Sequence, residues 1–362
     1  MQQHLAEIDA KLEKMRGWLE TLNAGGLRLR GTDWFAWATG GGSNTVLLTA
    51  ESGVAEILVT ADDAYVLTDD IEALRLQEEE VPGGYEWHVT QWADDKTRDR
   101  FVEELTDGAT IVSDRPAEGE TLLPPIVAQQ RYRLMAVEQQ RYRNVGRLAA
   151  EAMTEVMTAA RPEWTEYELA GAGAEALWSR GLHPALTLAA GERRLPRHRH
   201  PTPSSEKLGN RAMLVFCARG HGLIANLTRF VNFGKAQQHP HEEALRRIES
   251  TGLQACQPGT MLSEIYATLD AAYHQHGFPE GILHHHQGGI TGYLAREVVA
   301  TPHTMVPLQH GMAIAFNPSL AGTKLEDTFL LQASGPEILT LDPAWPTVMQ
   351  DGLPRALPLE AA

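Results

Sequence analysis

Histidine is the side chain whose charge changes nearest neutral pH, and 13 of the 15 histidines in this chain lie after residue 124. Two groups carry potential chemistry. His198 and His200 close the basic run Arg193, Arg194, Arg197, His198, Arg199, His200. An imidazole there is either a proton donor and acceptor or part of a solvated cationic surface. The second group is His284-His285-His286-Gln287. On a strand, His284 and His286 would share one face and His285 would take the other. Such a run reads as the polar lining of a pocket. With Glu326 and Cys217 it also offers enough donors for one divalent ion. No paired histidine spacing on a helix supports a ligand set, so the reading without an ion is preferred. Arg296 follows the glycine-rich turn Gly288-Gly289-Ile290-Thr291-Gly292. Its guanidinium can pair bidentately with a substrate carboxylate or with an internal acid such as Glu326. Cys217 and Cys256 are the only cysteines, which excludes a disulfide framework and a four-cysteine zinc site. Cys217, on an apolar strand, reads as a buried small hydrophobe.

These residues need elements to position them. Leu5, Ile8, Leu12, Met15, Leu19 and Leu22 recur at spacings of three and four and predict a helix over 4–24. Short strand-like runs follow at 26–30, 45–49, 55–60 and 65–67, then a helical stretch over 71–80 and one more strand at 111–114. Pro124-Pro125 marks the expected linker. Beyond it, residues 132–160 read as a long helix and a second helix opens at Thr165. There Thr165 and Glu168 make a capping-box pair, with Trp164 and Leu169 as a hydrophobic staple. Residues 261–277 repeat the plan. Strands are expected at 186–190, 213–217, 223–230, 312–316 and 328–332. Two helix pairs and two strand sets suggest an internal duplication of an α/β unit.

A length of 362 residues suits two domains. Residues 1–124 hold 10 basic against 25 acidic residues, and residues 125–362 hold 21 against 22. This asymmetry supports a boundary near 125 and expected domains of 1–124 and 125–362. An acidic half argues against nucleic acid or an anionic membrane as partner. No stretch approaches the ~20 apolar residues of a membrane span. The first 22 residues are too charged for a secretion signal, so the protein is expected to be cytoplasmic.

Arg161–Gly181 with the strand after it, Gly31-Thr32-Asp33-Trp34-Phe35-Ala36-Trp37-Ala38-Thr39-Gly40, and Leu67-Thr68-Asp69-Asp70-Ile71-Glu72 together resemble, in order, the prolidase, aminopeptidase P and creatinase superfamily. The resemblance covers nearly the whole chain. It implies an α/β (α+β) fold of two domains, the second with the pita-bread architecture, and a homodimer. It also implies two metal ions held by two Asp, one His and two Glu around a bridging hydroxide. Placed on that pattern, the second Asp is Asn226 in Ala225-Asn226-Leu227-Thr228-Arg229. The first falls on Cys217 or Val215, depending on how a shortened hairpin is gapped. The metal His becomes Gly289 and the first Glu becomes Asn317 in Asn317-Pro318-Ser319. The second Glu is retained as Glu326 in Gly322-Thr323-Lys324-Leu325-Glu326-Asp327. Two divalent ions facing one carboxylate are electrostatically untenable, so the usual dimanganese or dicobalt site is expected to be absent.

The resemblance aligns His200, in His200-Pro201-Thr202-Pro203-Ser204-Ser205-Glu206-Lys207-Leu208, with a catalytic His, and His285 with a substrate-contacting one. Creatinase, a relative that cleaves a C–N bond without metals, supplies the expected reaction class. The chain is then a metal-independent hydrolase of a small amide or dipeptide-like substrate. His200 is its acid/base and Glu326 orients a water or the substrate nitrogen. His285, His286, Arg296, Asn226 and Asn317 bind substrate. No cofactor is expected, with a single divalent ion at the histidines and Glu326 left open. Two alternatives stand beside this reading: a pita-bread module that binds without turnover, and an Xaa-Pro peptidase with a rebuilt metal site.

Overall fold

A computed structural model describes residues 2–234 and 239–361. The chain forms two compact units, Met1–Arg131 and Tyr132–Ala362. The expected boundary at 124/125 lies a little upstream of this division, because Pro124 and Pro125 open the short helix Pro125–Ala128 rather than a linker. Proline suits a first helical turn, where its missing N–H is not needed.

Unit 1 is built on α1 (Gln2–Leu22), β1 (Gly26–Gly31), α2 (Thr32–Ala38), β2 (Ser52–Val59), β3 (Ala64–Asp69), β4 (Glu86–Thr90), α3 (Asp95–Thr106), β5 (Ile111–Ser113) and β6 (Thr121–Leu122). The strands make one mixed sheet in the order β4-β3-β2-β1-β5-β6. Ile8, Leu12, Met15 and Leu19 are the buried stripe of α1. Trp34, Phe35 and Trp37 of α2 are all buried. Trp18 stacks on Trp37 at 5.5 Å and meets Trp34 edge-on, so the aromatic run is core of this unit. One expected strand is not formed. Residues 45–49 are irregular, and Val46, Leu47 and Leu48 are exposed. An apolar run gives a strand only where a neighbour pairs with it.

Unit 2 repeats one plan twice. Helices α4 (Ala136–Ala159) and α5 (Glu166–Trp178) precede β7 (His183–Gly191), β8 (Arg211–Gly220) and β9 (Leu223–Phe233). The Thr165–Glu168 capping box is formed in both directions. Helices α6 (Glu242–Gln254) and α7 (Leu262–Gln275) then precede a second sheet. Its strands are β10 (Gly288–Thr291), β11 (Val298–Val299), β12 (Ala313–Phe316), β15 (Asp327–Gln332) and β16 (Gly335–Ile338), in the order β11-β10-β12-β15-β16. A small hairpin, β13 (Ser319–Leu320) and β14 (Thr323–Lys324), lies between β12 and β15. After an outer hairpin, β17 (Thr347–Gln350) and β18 (Leu353–Ala356), the last strand β19 (Leu359–Ala361) returns to pair parallel with β9. Leu245, Ile248, Leu262, Ile265, Leu269, Ile314, Phe316 and Phe329 form the core between the second helix pair and its sheet.

The β8–β9 hairpin positions much of the site. His221 and Gly222 both adopt positive φ, at 50° and 77°, the signature of a two-residue type I′ turn. That turn sets the register, with Gly220 opposite Leu223 and Cys217 opposite Asn226. Every residue of β9 is buried, including Asn226, Thr228, Arg229 and Asn232. A single bridge, Thr228 to Glu326, ties this hairpin to the second sheet. No helix among the described residues is long and apolar enough to cross a membrane.

Candidate functional site

The site is assembled where β9 meets the entry to β15. Glu326 is buried, and both of its carboxylate oxygens are engaged. Arg296 donates to Oε1 at 2.7 Å. The Lys324 ammonium lies 2.8 Å from Oε2, and the Thr228 hydroxyl donates to the same oxygen at 2.9 Å. Burial opposes ionisation of Glu326, but the Lys324 and Arg296 charges win and hold its pKa at about 2. Among the alternatives for Arg296, the structure realises the internal acid. Lys324 was not singled out by the sequence reading. Its signal was its place two residues before Glu326 on an extended segment, which puts both side chains on one face.

His200, His285 and His286 converge next to this ion pair, their ligand-capable atoms within 4.8 Å of one another. His285 Nε2 and His200 Nε2 are 2.9 Å apart, so one ring donates to the other. The His285 and His286 rings stack at 4.5 Å. Burial and the nearby Lys324 ammonium lower the His285 pKa to about 3. Burial and Arg296 lower that of His286 to about 4, and His200 is lowered by burial and then Lys324. All three rings are therefore neutral at pH 7.

The expected strand alternation of the histidine run is not observed. Gly281–His284 is a short 3-10 helix, β10 begins only at Gly288, and His284 is exposed outside the cluster. The break in periodicity lets the adjacent residues His285 and His286 reach the same place.

Asn226 is fully buried; its side-chain amide donates to Thr291 Oγ1 at 3.0 Å and to the Ile224 carbonyl at 3.2 Å. Asn226 Oδ1 and Asn317 Oδ1 are buried with no hydrogen-bond partner among the described residues. The hairpin register puts Cys217, rather than Val215, directly across from Asn226. Burial and the Glu326 carboxylate push the Cys217 thiol up to about 12. It therefore stays protonated, unlike a nucleophile or a thiolate ligand. Gly289 has φ +155°, and a Cβ built on it would overlap the Val298 carbonyl oxygen of the neighbouring strand. No side chain of any kind is accommodated at that position without moving backbone.

Behind the site lies a second charged layer. Arg229 donates to Asp327 at 2.7 Å and to the Thr340 carbonyl. Arg355 contacts the other Asp327 oxygen at 2.9 Å and forks onto both oxygens of Glu249.

The description Metallopeptidase family M24 fits residues 140–333, more than half of the chain. The chain belongs to metallopeptidase family M24. An uncharacterized peptidase of Staphylococcus aureus is 26% identical to this M24 chain over 155 residues, which is 39% of this chain and 43% of that protein. The match thus spans less than half the length of that relative. Among solved structures, the Xaa-Pro dipeptidase of Bacillus anthracis superposes with a TM-score of 0.75. It is 19% identical and covers 93% of this chain and 98% of its own. The prolidase of Pyrococcus horikoshii superposes with a TM-score of 0.76 at 17% identity, over 92% and 99% of the two chains. At these identities the likeness establishes the pita-bread fold, as expected, over nearly the whole chain.

Proposed function

We propose that this M24 member lacks the dinuclear metal centre of its peptidase relatives and hydrolyses a small amide or dipeptide-like C–N bond without metal. The donor chemistry does not fit two divalent ions. The five ligand positions implied by the resemblance hold Cys217 or Val215, Asn226, Gly289, Asn317 and Glu326. The one carboxylate among them already has a cation on each oxygen. Hard divalent ions require several anionic oxygens, and here fixed side-chain cations fill that electrostatic role.

The observation that carries the reading is the neutral His200–His285 pair beside those cations. His200 takes a proton from water as the water adds to the substrate carbonyl carbon. It then returns that proton to the leaving nitrogen as the C–N bond breaks. Glu326, a weak base with both oxygens occupied, positions Lys324 and Arg296 rather than activating water. The Lys324 ammonium has Glu326 as its one ion-pair partner among the described residues. Its remaining N–H donors can meet the oxyanion that develops on the substrate. His285, His286, Arg296, Asn226 and Asn317 surround the bound substrate.

The test is a panel of Xaa-Pro dipeptides, other dipeptides and N-acyl amino acids offered to untagged, EDTA-treated protein. Turnover that His200→Ala abolishes is expected. Turnover that needs added Mn, Co or Zn, or that survives His200→Ala, overturns the reading. A second reading, binding without turnover, is favoured by the unsatisfied Asn226 and Asn317 oxygens, which would accept from a ligand N–H. Thermal stabilisation by panel members with no hydrolysis of any would select it.

A further inference from the structure

We propose that His200, His285 and His286 form a site for one zinc-class divalent ion, and that occupation of this site switches off the proton transfer assigned to His200. The set is distinct from the five ligand positions of the family, and it uses neither Glu326 nor Cys217.

The argument starts from geometry. An ion with Zn–N bonds of about 2.0–2.1 Å in tetrahedral arrangement spaces its ligand nitrogens about 3.3 Å apart. The shortest approach in the cluster is 2.9 Å, between His285 and His200, and all its ligand atoms fall within 4.8 Å. These distances bracket the required spacing. Small rotations of the exposed His200 and His286 rings complete the match. A second observation concerns the other ring nitrogen of His285, which no partner among the described residues fixes in place. His285 is 8% exposed, yet its Nδ1 is buried with no hydrogen bond among the described residues. A neutral imidazole has one unprotonated ring nitrogen, and an ion would replace the His200–His285 hydrogen bond at that nitrogen.

Charge selects the class of ion. Lys324 and Arg296 against Glu326 leave a local charge of +1. That field disfavours weakly held hard cations such as Mg²⁺ and Ca²⁺, which need carboxylates. Zn²⁺, Co²⁺, Ni²⁺ and Cu²⁺ gain enough from imidazole coordination to bind against it. Once an ion takes the lone pair of His200, that ring can no longer accept a proton. The regulatory half of the inference therefore rests on the function proposed above, whereas the binding half does not.

The experiment is calorimetric titration of ZnCl₂ into the untagged full-length chain, stripped of metal and freed of chelator, with the Co²⁺ visible spectrum as a second readout. One ion per chain is expected, with tetrahedral-type Co²⁺ bands. His285→Ala and His286→Gln should each weaken binding by about 100-fold. His286 is exposed, so its replacement leaves the fold in place, and His284→Ala, adjacent but outside the cluster, should bind as wild type. Absence of one-to-one binding at micromolar zinc, or binding indifferent to both cluster substitutions, overturns the site. Where hydrolysis is measurable, one equivalent of zinc should stop it and EDTA should restore it. Hydrolysis unaffected by bound zinc overturns the switch. Absence of hydrolysis in the metal-free protein counts against the proposed function alone, because calorimetry reads the ion directly.

Discussion

The two faces of the β9–β15 junction contrast sharply. On the front lie Asn226 and Glu326, the latter bound by Lys324, Arg296 and Thr228. On the back, three residues beyond Asn226 and one beyond Glu326, Arg229 and Asp327 belong to a buried chain of charges that runs through Arg355 to Glu249. Successive strand residues face opposite ways, so residues on one face can change while the charged scaffold on the other is kept. The back face is an ion-pair layer that holds the junction, and the front face carries the candidate site.

The strongest way to break this contrast is Glu249→Leu. It leaves the Arg355 guanidinium buried beside Asp327 alone, and such a change costs about 3–5 kcal/mol. Urea unfolding should show that loss. A cost below about 1 kcal/mol would mean that the back layer is not what holds the junction. An intermediate effect is expected from pH. The folded pKa of His285, about 3, lies below its ordinary 6.5. Between those values the unfolded chain binds more protons than the folded one. Stability is therefore full above pH 6.5 and falls as the solution is acidified toward pH 3. Between pH 6.5 and 5 the contribution is on the order of 2 kcal/mol, and His285→Ala should flatten that part of the profile. A slope unchanged by the substitution would place the titration elsewhere. The smallest expected effect is that of Thr228→Val. It removes one hydrogen bond to Glu326 while both cations remain, at about 1 kcal/mol and with no change in the number of ions bound. A cost equal to that of Glu249→Leu would erase the distinction between the faces.

Much of the architecture was legible from the sequence because it rests on local signals. The three-and-four spacing of Ile8, Leu12, Met15 and Leu19 and the Thr165–Glu168 box each name an element within a few residues. The His200–His285 encounter was anticipated only as two separate candidates, since they stand 85 positions apart. Illegible features were those set by distant partners or by backbone exceptions. Glu249 and Arg355 are separated by 106 residues and neither adjoins a motif. That Cys217 rather than Val215 lies across from Asn226 follows from the type I′ turn at His221-Gly222. The apolar run at 45–49 imitated a strand that no neighbour completes, and the histidine run imitated one that a 3-10 helix interrupts.

The crowding around Gly289 has a consequence for engineering. An imidazole placed at 289 would have to displace the carbonyl of Val298 from its own strand. A histidine ligand at that position is thus barred by main chain rather than by side-chain choice. Any redesign for metal-dependent proteolysis would have to begin by remaking the pairing of β10 with β11.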